Sequence, residues 1–499
     1  MLFCSREFLL FFAVIFTLYW AMPWPRARVW LLLVASFYFY ACWNEWLALL
    51  ICVSTFIDYC LALGMDTWTN PRGRRFLLIV SVVGNLSLLG YFKYANFFLH
   101  SLEEGLHAAG ASASIPMLQV ILPVGISFYT FEAINYVVDV YRRKAPAERD
   151  LGHFMLFITF FPHLVAGPIV RAKDFLPQIR RPKHWDWARL QLGVEYFLMG
   201  LFKKLAIADR MAAFVDPVFE NPSAYQSHSV WLAVFAYALQ IYCDFSGYTD
   251  MAIGCAHMLG YKLAPNFNMP YLSSNISEFW RRWHISLSSW LRDYIFMPLC
   301  FRGTKRSKRD PRPGWLSTLA SIPLGGERGS SWRIQSSFIV TMTLGGLWHG
   351  ASWNFVIFGV VHGLLIVLHR LFRDFADGRP RLDKALNTNL GNAACVALTF
   401  AACCFTMVLF RATSFEQIGV LFKHMLIPTP GLGTPMPASG LLYTYLLVGT
   451  CHWLAYQVWF KRWMIRMPGQ MIGVGYCSAL AAALILAPRG GQMFIYFQF

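Results

Sequence analysis

His349 lies in Phe338-Ile-Val-Thr-Met-Thr-Leu-Gly-Gly-Leu-Trp-His-Gly-Ala-Ser-Trp-Asn-Phe-Val-Ile-Phe-Gly-Val-Val-His362, a stretch without one Lys, Arg, Asp or Glu. An ionisable side chain in such surroundings costs roughly 2.5–3.5 kcal/mol at bilayer depth, which marks it as a functional-site candidate. Neutral imidazole also takes and returns a proton near pH 7 better than any other side chain. A second imidazole, His284, follows a helix start expected at Ser277-Glu278. Arg281 and Ser288 stand three residues before it and four after, so one continuous helix would align a cation, an imidazole and a hydroxyl on one face. His362 is thirteen residues beyond His349, about 220° round a continuous helix, which argues for a structural or orienting place unless the helix breaks. Asp244 and Asp250 are six residues apart, about 240° round, and are expected to satisfy or orient neighbouring groups and not to form a carboxylate dyad.

The elements that must hold these residues are membrane helices. Of the 499 residues 57% are hydrophobic and only 14% charged, against about 25% charged in soluble domains. Apolar segments near 8–24, 29–43, 46–64, 76–99, 117–140, 190–213, 229–258, 336–369, 390–410, 440–460 and 470–488 approach or exceed the span of a bilayer. Segments 152–170 and 271–300 are apolar but interrupted. The expectation is an all-α, polytopic bundle of roughly ten to thirteen membrane-embedded helices. It forms a single integral-membrane domain over 1–499, with N-terminal helices in 1–115, a catalytic core in 116–370 and C-terminal helices in 371–499. Pro162 and Gly167-Pro168 make 152–170 a candidate re-entrant segment. Met1 to Trp24 lacks a cleavage signal and reads as a retained first span.

Net charge is +17, gathered in short connections: Arg26/Arg28, Arg72/Arg74/Arg75, Arg142/Arg143/Lys144, Arg171 to Lys183 and Arg302 to Arg312. Loops 44–46 and 100–115 carry Glu45, Glu103 and Glu104 but no Lys or Arg. The positive-inside rule then puts loops 23–28 and 65–75 in the cytoplasm and the N-terminus outside. The same charge can draw an anionic acyl donor to that side. No basic helix or aromatic RNA-binding signature accompanies it, so a nucleic-acid role is not expected. The 12 cysteines lie mostly in apolar runs, and no Cys/His spacing suits zinc, so no metal is expected. Nucleophile-elbow, zinc-protease and phosphate-loop motifs are missing as well. A secondary transporter is the remaining rival, with Lys93, Glu132 and Asp139 as a conceivable relay, but no two matching halves are visible.

Several longer strings together resemble one family. Leu347-Trp-His-Gly-Ala-Ser-Trp-Asn-Phe355 with His362-Gly363, and Phe279-Trp-Arg-Arg-Trp-His-Ile-Ser-Leu287, are similar to signatures of the membrane-bound O-acyltransferases. Asp244-Phe-Ser-Gly-Tyr-Thr-Asp250, Asn266-Phe-Asn-Met-Pro270, Pro123-Val-Gly-Ile-Ser-Phe128 and Phe161-Pro-His-Leu-Val-Ala-Gly-Pro168 match in the same order. Phe410-Arg-Ala-Thr-Ser-Phe415 and Phe494-Ile-Tyr-Phe-Gln-Phe499 complete the pattern. Within that family the motifs stand nearer to the bacterial alginate-acetylating members than to the shorter D-alanyl-transferring members. The resemblance implies helices around a central funnel or tunnel, with His349 the active-site histidine and His284 the second one, toward a cytoplasmic entrance. It implies an acetyl group passing from a cytoplasmic donor, expected to be acetyl-CoA with no bound cofactor, across a bacterial inner membrane. The acceptor would be an exported polysaccharide such as alginate, reached through a separate periplasmic or extracellular acetyltransferase. Acyl or D-alanyl transfer to peptidoglycan or teichoic acid is the alternative.

The chemistry then assigns roles. His349 is the general base for an incoming hydroxyl. Trp348 and Trp353 wall the site against water. Asn354, Ser352 or a backbone N–H at the glycines steadies the oxyanion. Arg281 and Arg282, beside His284 and Ser288, receive donor phosphates.

Overall fold

The computed structural model describes residues 1–112, 114–300, 328–457, 459, 463, 466–488 and 494. Among these the chain is helical throughout, and its only β pairing is an isolated bridge between Tyr225 and Leu432. The basic run Arg302 to Arg312 and the tail beyond Phe494 lie outside the described residues. Contacts group the chain into two compact units, Met1–Met269 with Arg411–Phe499, and Pro270–Phe410.

The first unit opens with α1 (Arg6–Ala21), α2 (Pro25–Ala41), α3 (Glu45–Thr67), α4 (Pro71–Leu89) and α5 (Ala95–Ala108). The expected helix at 117–140 begins only at Ile126, because Pro123 and Gly125 (φ 76°) hold an irregular lead-in to α6 (Ile126–Tyr141). Segment 152–170 is broken as its prolines suggest, into α7 (Leu151–Thr159) and α8 (Phe161–Leu164). Its irregular backbone is buried and satisfied from α6. Glu132 accepts the Val170 N–H at 2.8 Å and the Asn135 amide donates to the Val170 carbonyl at 3.1 Å. After α9 (Ala172–Arg180) come α10 (Trp187–Phe202), a π-helical turn at Lys203–Ala208, α11 (Asp209–Glu220) and the long, largely buried α12 (Ser227–Met258).

The second unit holds α13 (Ile276–Arg282), α14 (Ile285–Leu291), α15 (Arg328–His349), α16 (Trp353–Asp377) and α17 (Asn389–Arg411), the last reaching the boundary. The chain then returns to the first unit through α18 (Phe415–Leu426), α19 (Ala438–Tyr456) and α20 (Gly469–Leu486). Six helical stretches among the described residues are long and apolar enough to cross a membrane: 45–67, 71–108, 227–258, 353–377, 389–411 and 469–486. Several other apolar segments counted from the sequence prove shorter or broken. This is an all-α, polytopic membrane protein.

Candidate active site

Sequence and structure differ first at the break between α15 and α16. The apolar run 336–369 is a helical hairpin, with α15 ending on His349 itself and α16 starting at Trp353. Ser352 caps α16 by accepting the Asn354 N–H at 3.3 Å, which gives this serine a structural task. No kink occurs at Gly345-Gly346, which stay helical. Gly346 serves close approach instead: a Cβ there would overlap the Phe355 carbonyl, and one at Gly359 the Met342 carbonyl. The backbone N–H groups expected to be freed at those glycines are therefore not available.

His349 thus sits at a helix C-terminus, where the partial negative charge of unpaired carbonyls favours a cation. Its ring is nearly buried and is flanked edge-on by Trp348 (centroids 5.1 Å apart), Phe410 (5.1 Å) and Phe358 (6.2 Å). The Trp348 indole also meets the fully buried ring of His284, their centroids 5.6 Å apart. Two buried imidazoles that share one indole, in a setting of aromatic carbon, form the centre of the second unit's polar chemistry.

His284 reaches this place because its own helix is interrupted. Asn275, not Ser277, caps α13 by accepting the Glu278 N–H at 2.8 Å, and Glu278 reaches back to the Ser274 N–H at 2.9 Å. The helix ends at Arg282, and His284 takes a left-handed conformation (φ 43°, ψ 54°) before α14 begins. The expected stripe of Arg281, His284 and Ser288 on one continuous helix is consequently not formed. Arg281 and Ser288 instead line an open, mainly apolar cleft of about 100 Å³. Trp280, Ser277, Arg292 and Phe338 share its walls, and neither histidine does. Arg282 is bound to Glu278 at 2.6 Å, whereas Arg281 makes no ion pair among the described residues. Of the two arginines, Arg281 is the one open to the cleft.

Trp353, at the first turn of α16, is 47% exposed. Trp348, 3% exposed, does the enclosing, together with Phe358 and Phe410, which sequence reasoning missed. Asn354 is buried at the start of α16. His362, also buried, shares Phe358 with His349: the break puts both imidazoles against one ring, at 4.4 Å and 6.2 Å. Asp244 and Asp250, in the first unit, form no dyad. Asp250 pairs with Lys203 at 2.6 Å, and Asp244 pairs with Lys204 at 2.8 Å, which Asp209 also meets at 2.8 Å. Both lysines interrupt the apolar run 190–213, a visible signal that called for buried acidic partners. Among the described residues no cluster of His, Cys, Asp and Glu could hold a metal ion.

The family model for membrane-bound O-acyltransferases matches residues 149–321. The chain is 38% identical over 428 residues to a probable alginate O-acetylase of Pseudomonas aeruginosa, covering 85% of this chain and 75% of that protein. The chain belongs to the membrane-bound O-acyltransferase family. A probable alginate O-acetylase of Azotobacter vinelandii is 40% identical over 430 residues, 85% of this chain and 78% of its own. The peptidoglycan O-acetyltransferase of Helicobacter pylori is 33% identical over 428 residues, 80% of this chain and 73% of its own. This membrane-bound O-acyltransferase is therefore an enzyme of acyl transfer, which removes the transporter reading.

Proposed function

We propose that this enzyme takes an acetyl group from acetyl-CoA at the cytoplasmic face of a bacterial inner membrane and delivers it for O-acetylation of an exported polysaccharide, with alginate the first candidate. The acceptor class rests on the two probable alginate O-acetylases that resemble the chain over 85% of its length. The observation that carries the chemistry is the buried pair His349 and His284, both against the Trp348 indole, with His349 at a helix C-terminus.

Neutral His349 removes the proton of an acceptor hydroxyl, whose oxygen attacks the thioester carbonyl. The C–O bond forms, the C–S bond breaks, and the thiolate leaves with the proton that the imidazolium returns. Negative charge at the end of α15 steadies that imidazolium while it lasts. Trp348, Phe358 and Phe410 keep out water that would hydrolyse the thioester. Arg281, in the mainly apolar cleft, suits a phosphate of the donor arm, with apolar walls for the pantetheine chain. The immediate acceptor would be a periplasmic or extracellular acetyltransferase that completes the transfer.

Replacing His349 with Ala is the direct test. Acetyl ester on secreted polysaccharide should disappear while the protein still inserts and accumulates; unchanged ester content ends the catalytic assignment. Labelled acetyl-CoA and an acetyl-charged carrier protein, offered separately to membranes, identify the donor. Peptidoglycan is the second acceptor to measure, because the Helicobacter pylori relative is an O-acetyltransferase of that polymer. Ester on muropeptides with none on exopolysaccharide would favour it.

A further inference from the structure

His362 is buried, titratable and not used by the mechanism above. Both of its ring nitrogens are engaged. The Trp280 indole can only give a proton, and its Nε1–H points at His362 Nδ1 from 3.2 Å, so Nδ1 presents its lone pair. The Thr406 hydroxyl donates to the Cys403 carbonyl at 2.8 Å. Its oxygen is left to accept from His362 Nε2 at 3.0 Å. One neutral tautomer satisfies every contact, with the proton on Nε2. No lone pair remains for acid–base work.

The three partners come from α13, α16 and α17, and each stands four residues from a group at the candidate centre. Trp280 is four residues before His284. His362 is four after Phe358, and Thr406 is four before Phe410, the two rings that flank His349. Phe358 is itself held between the two histidine rings.

We propose that Trp280, His362 and Thr406 form a positioning lock, in which a tautomer-fixed His362 ties three helices together and sets the placement of His349 and His284. The inference rests on the catalytic reading of His349. Thr406 does not line the cleft and hydrogen-bonds to neither of those two histidines, so it is the residue to change. Thr406→Val keeps the shape and removes the hydroxyl, whereas Thr406→Ser keeps the hydroxyl. In purified enzyme reconstituted in lipid, Thr406→Val should lower kcat per folded molecule roughly tenfold or more, as small displacements of reacting groups do. The KM for acetyl-CoA should hold, and Thr406→Ser should restore the rate.

Nitrogen-15 histidine NMR supplies the reading independent of turnover, with His362 assigned by its loss in His362→Gln. The wild type should show one protonated and one bare His362 nitrogen that do not titrate. Thr406→Val should move both that Nε2 signal and the ring signals of His349. If Thr406→Val does not fold, Trp280→Phe removes the other bond and is read in the same spectra. Unchanged kcat per folded molecule, or unmoved His349 signals, overturns the lock. His349→Ala in the same assay separates the two ideas: retained transfer there removes the catalytic reading, and the spectra still decide whether the lock exists.

Discussion

A histidine at φ 43° is an informative residue before any chemistry is assigned to it. Left-handed backbone is reached by Asn, Asp and His several-fold more often than by other side chains, and for β-branched residues it is a true outlier. The placement of His284 beside Trp348 depends on that turn, because a continued helix would aim the ring with Arg281 and Ser288 toward the cleft. His284→Asn should therefore fold to wild-type levels, since Asn tolerates the conformation, yet lose most acetyl transfer if the second imidazole takes part. His284→Val should instead lose folded protein, at a cost on the order of 1–3 kcal/mol for strained backbone. Size-exclusion yield and thermal unfolding read the first property; ester content reads the second. If Asn transfers acetyl at the wild-type rate, His284 has only a structural place. His349 was legible in the sequence because nothing else in its segment is charged. The turn at Trp283-His284 was not, since neither glycine nor proline announces it. The exposed position of Trp353 follows from where α16 starts, a start that Gly350 at the break and Ser352 at the cap both mark.

The hairpin of α15 and α16 is the element that presents His349, and its closeness depends on residues with no side chain. Two adjacent glycines in an apolar run read identically from sequence whether they kink a helix or admit a neighbour; only the Phe355 carbonyl facing Gly346 decides. Gly346→Ala or Gly359→Ala forces those backbones apart, and overpacking of this kind costs about 1–3 kcal/mol. Both variants should lower thermal stability and also acetyl transfer, because His349 lies three residues beyond Gly346. Gly419→Ala on α18, where an added Cβ meets nothing within 4 Å, is the matched control and should be neutral or slightly stabilising. Equal melting temperatures for Gly346→Ala and Gly419→Ala would show that the helices have room to spare. Ser352→Ala removes the cap of α16 and should cost about 1 kcal/mol. Helix type and order were largely readable from apolar periodicity. The break near residue 160 was announced by Pro162 and the one at 350 carries Gly350, but the one at 283 was harder, and these breaks place the polar groups.

Charge organises the molecule at the largest scale, both where it is buried and where it is gathered at the surface. Inside the first unit, Lys203 and Lys204 on the π-helical turn meet Asp250, Asp244 and Asp209. Removing one member of a buried pair strands the other, at about 3–5 kcal/mol, while removing both is far milder. Lys203→Met should therefore lose more folded protein than the double variant Lys203→Met with Asp250→Leu. A double variant that is worse than the single would give that pair a role beyond neutralisation. At the surface, connections 23–28 and 65–75 are basic and 100–115 is acidic. Helices α1 to α4 follow one another through short connections, so successive connections alternate between the two ends if each helix crosses the bilayer. The charge bias then sets the first and third connections on the cytoplasmic side. Thr69 and Ala109, both exposed, sample the two predicted sides. In a background freed of the exposed Cys42, Cys60, Cys451 and Cys477, Ala109→Cys should react with an impermeant maleimide in intact cells. Thr69→Cys should react only after lysis. The opposite pattern would turn the first four helices over and place the basic connections away from the compartment that supplies acetyl-CoA, leaving the proposed donor without its electrostatic attraction.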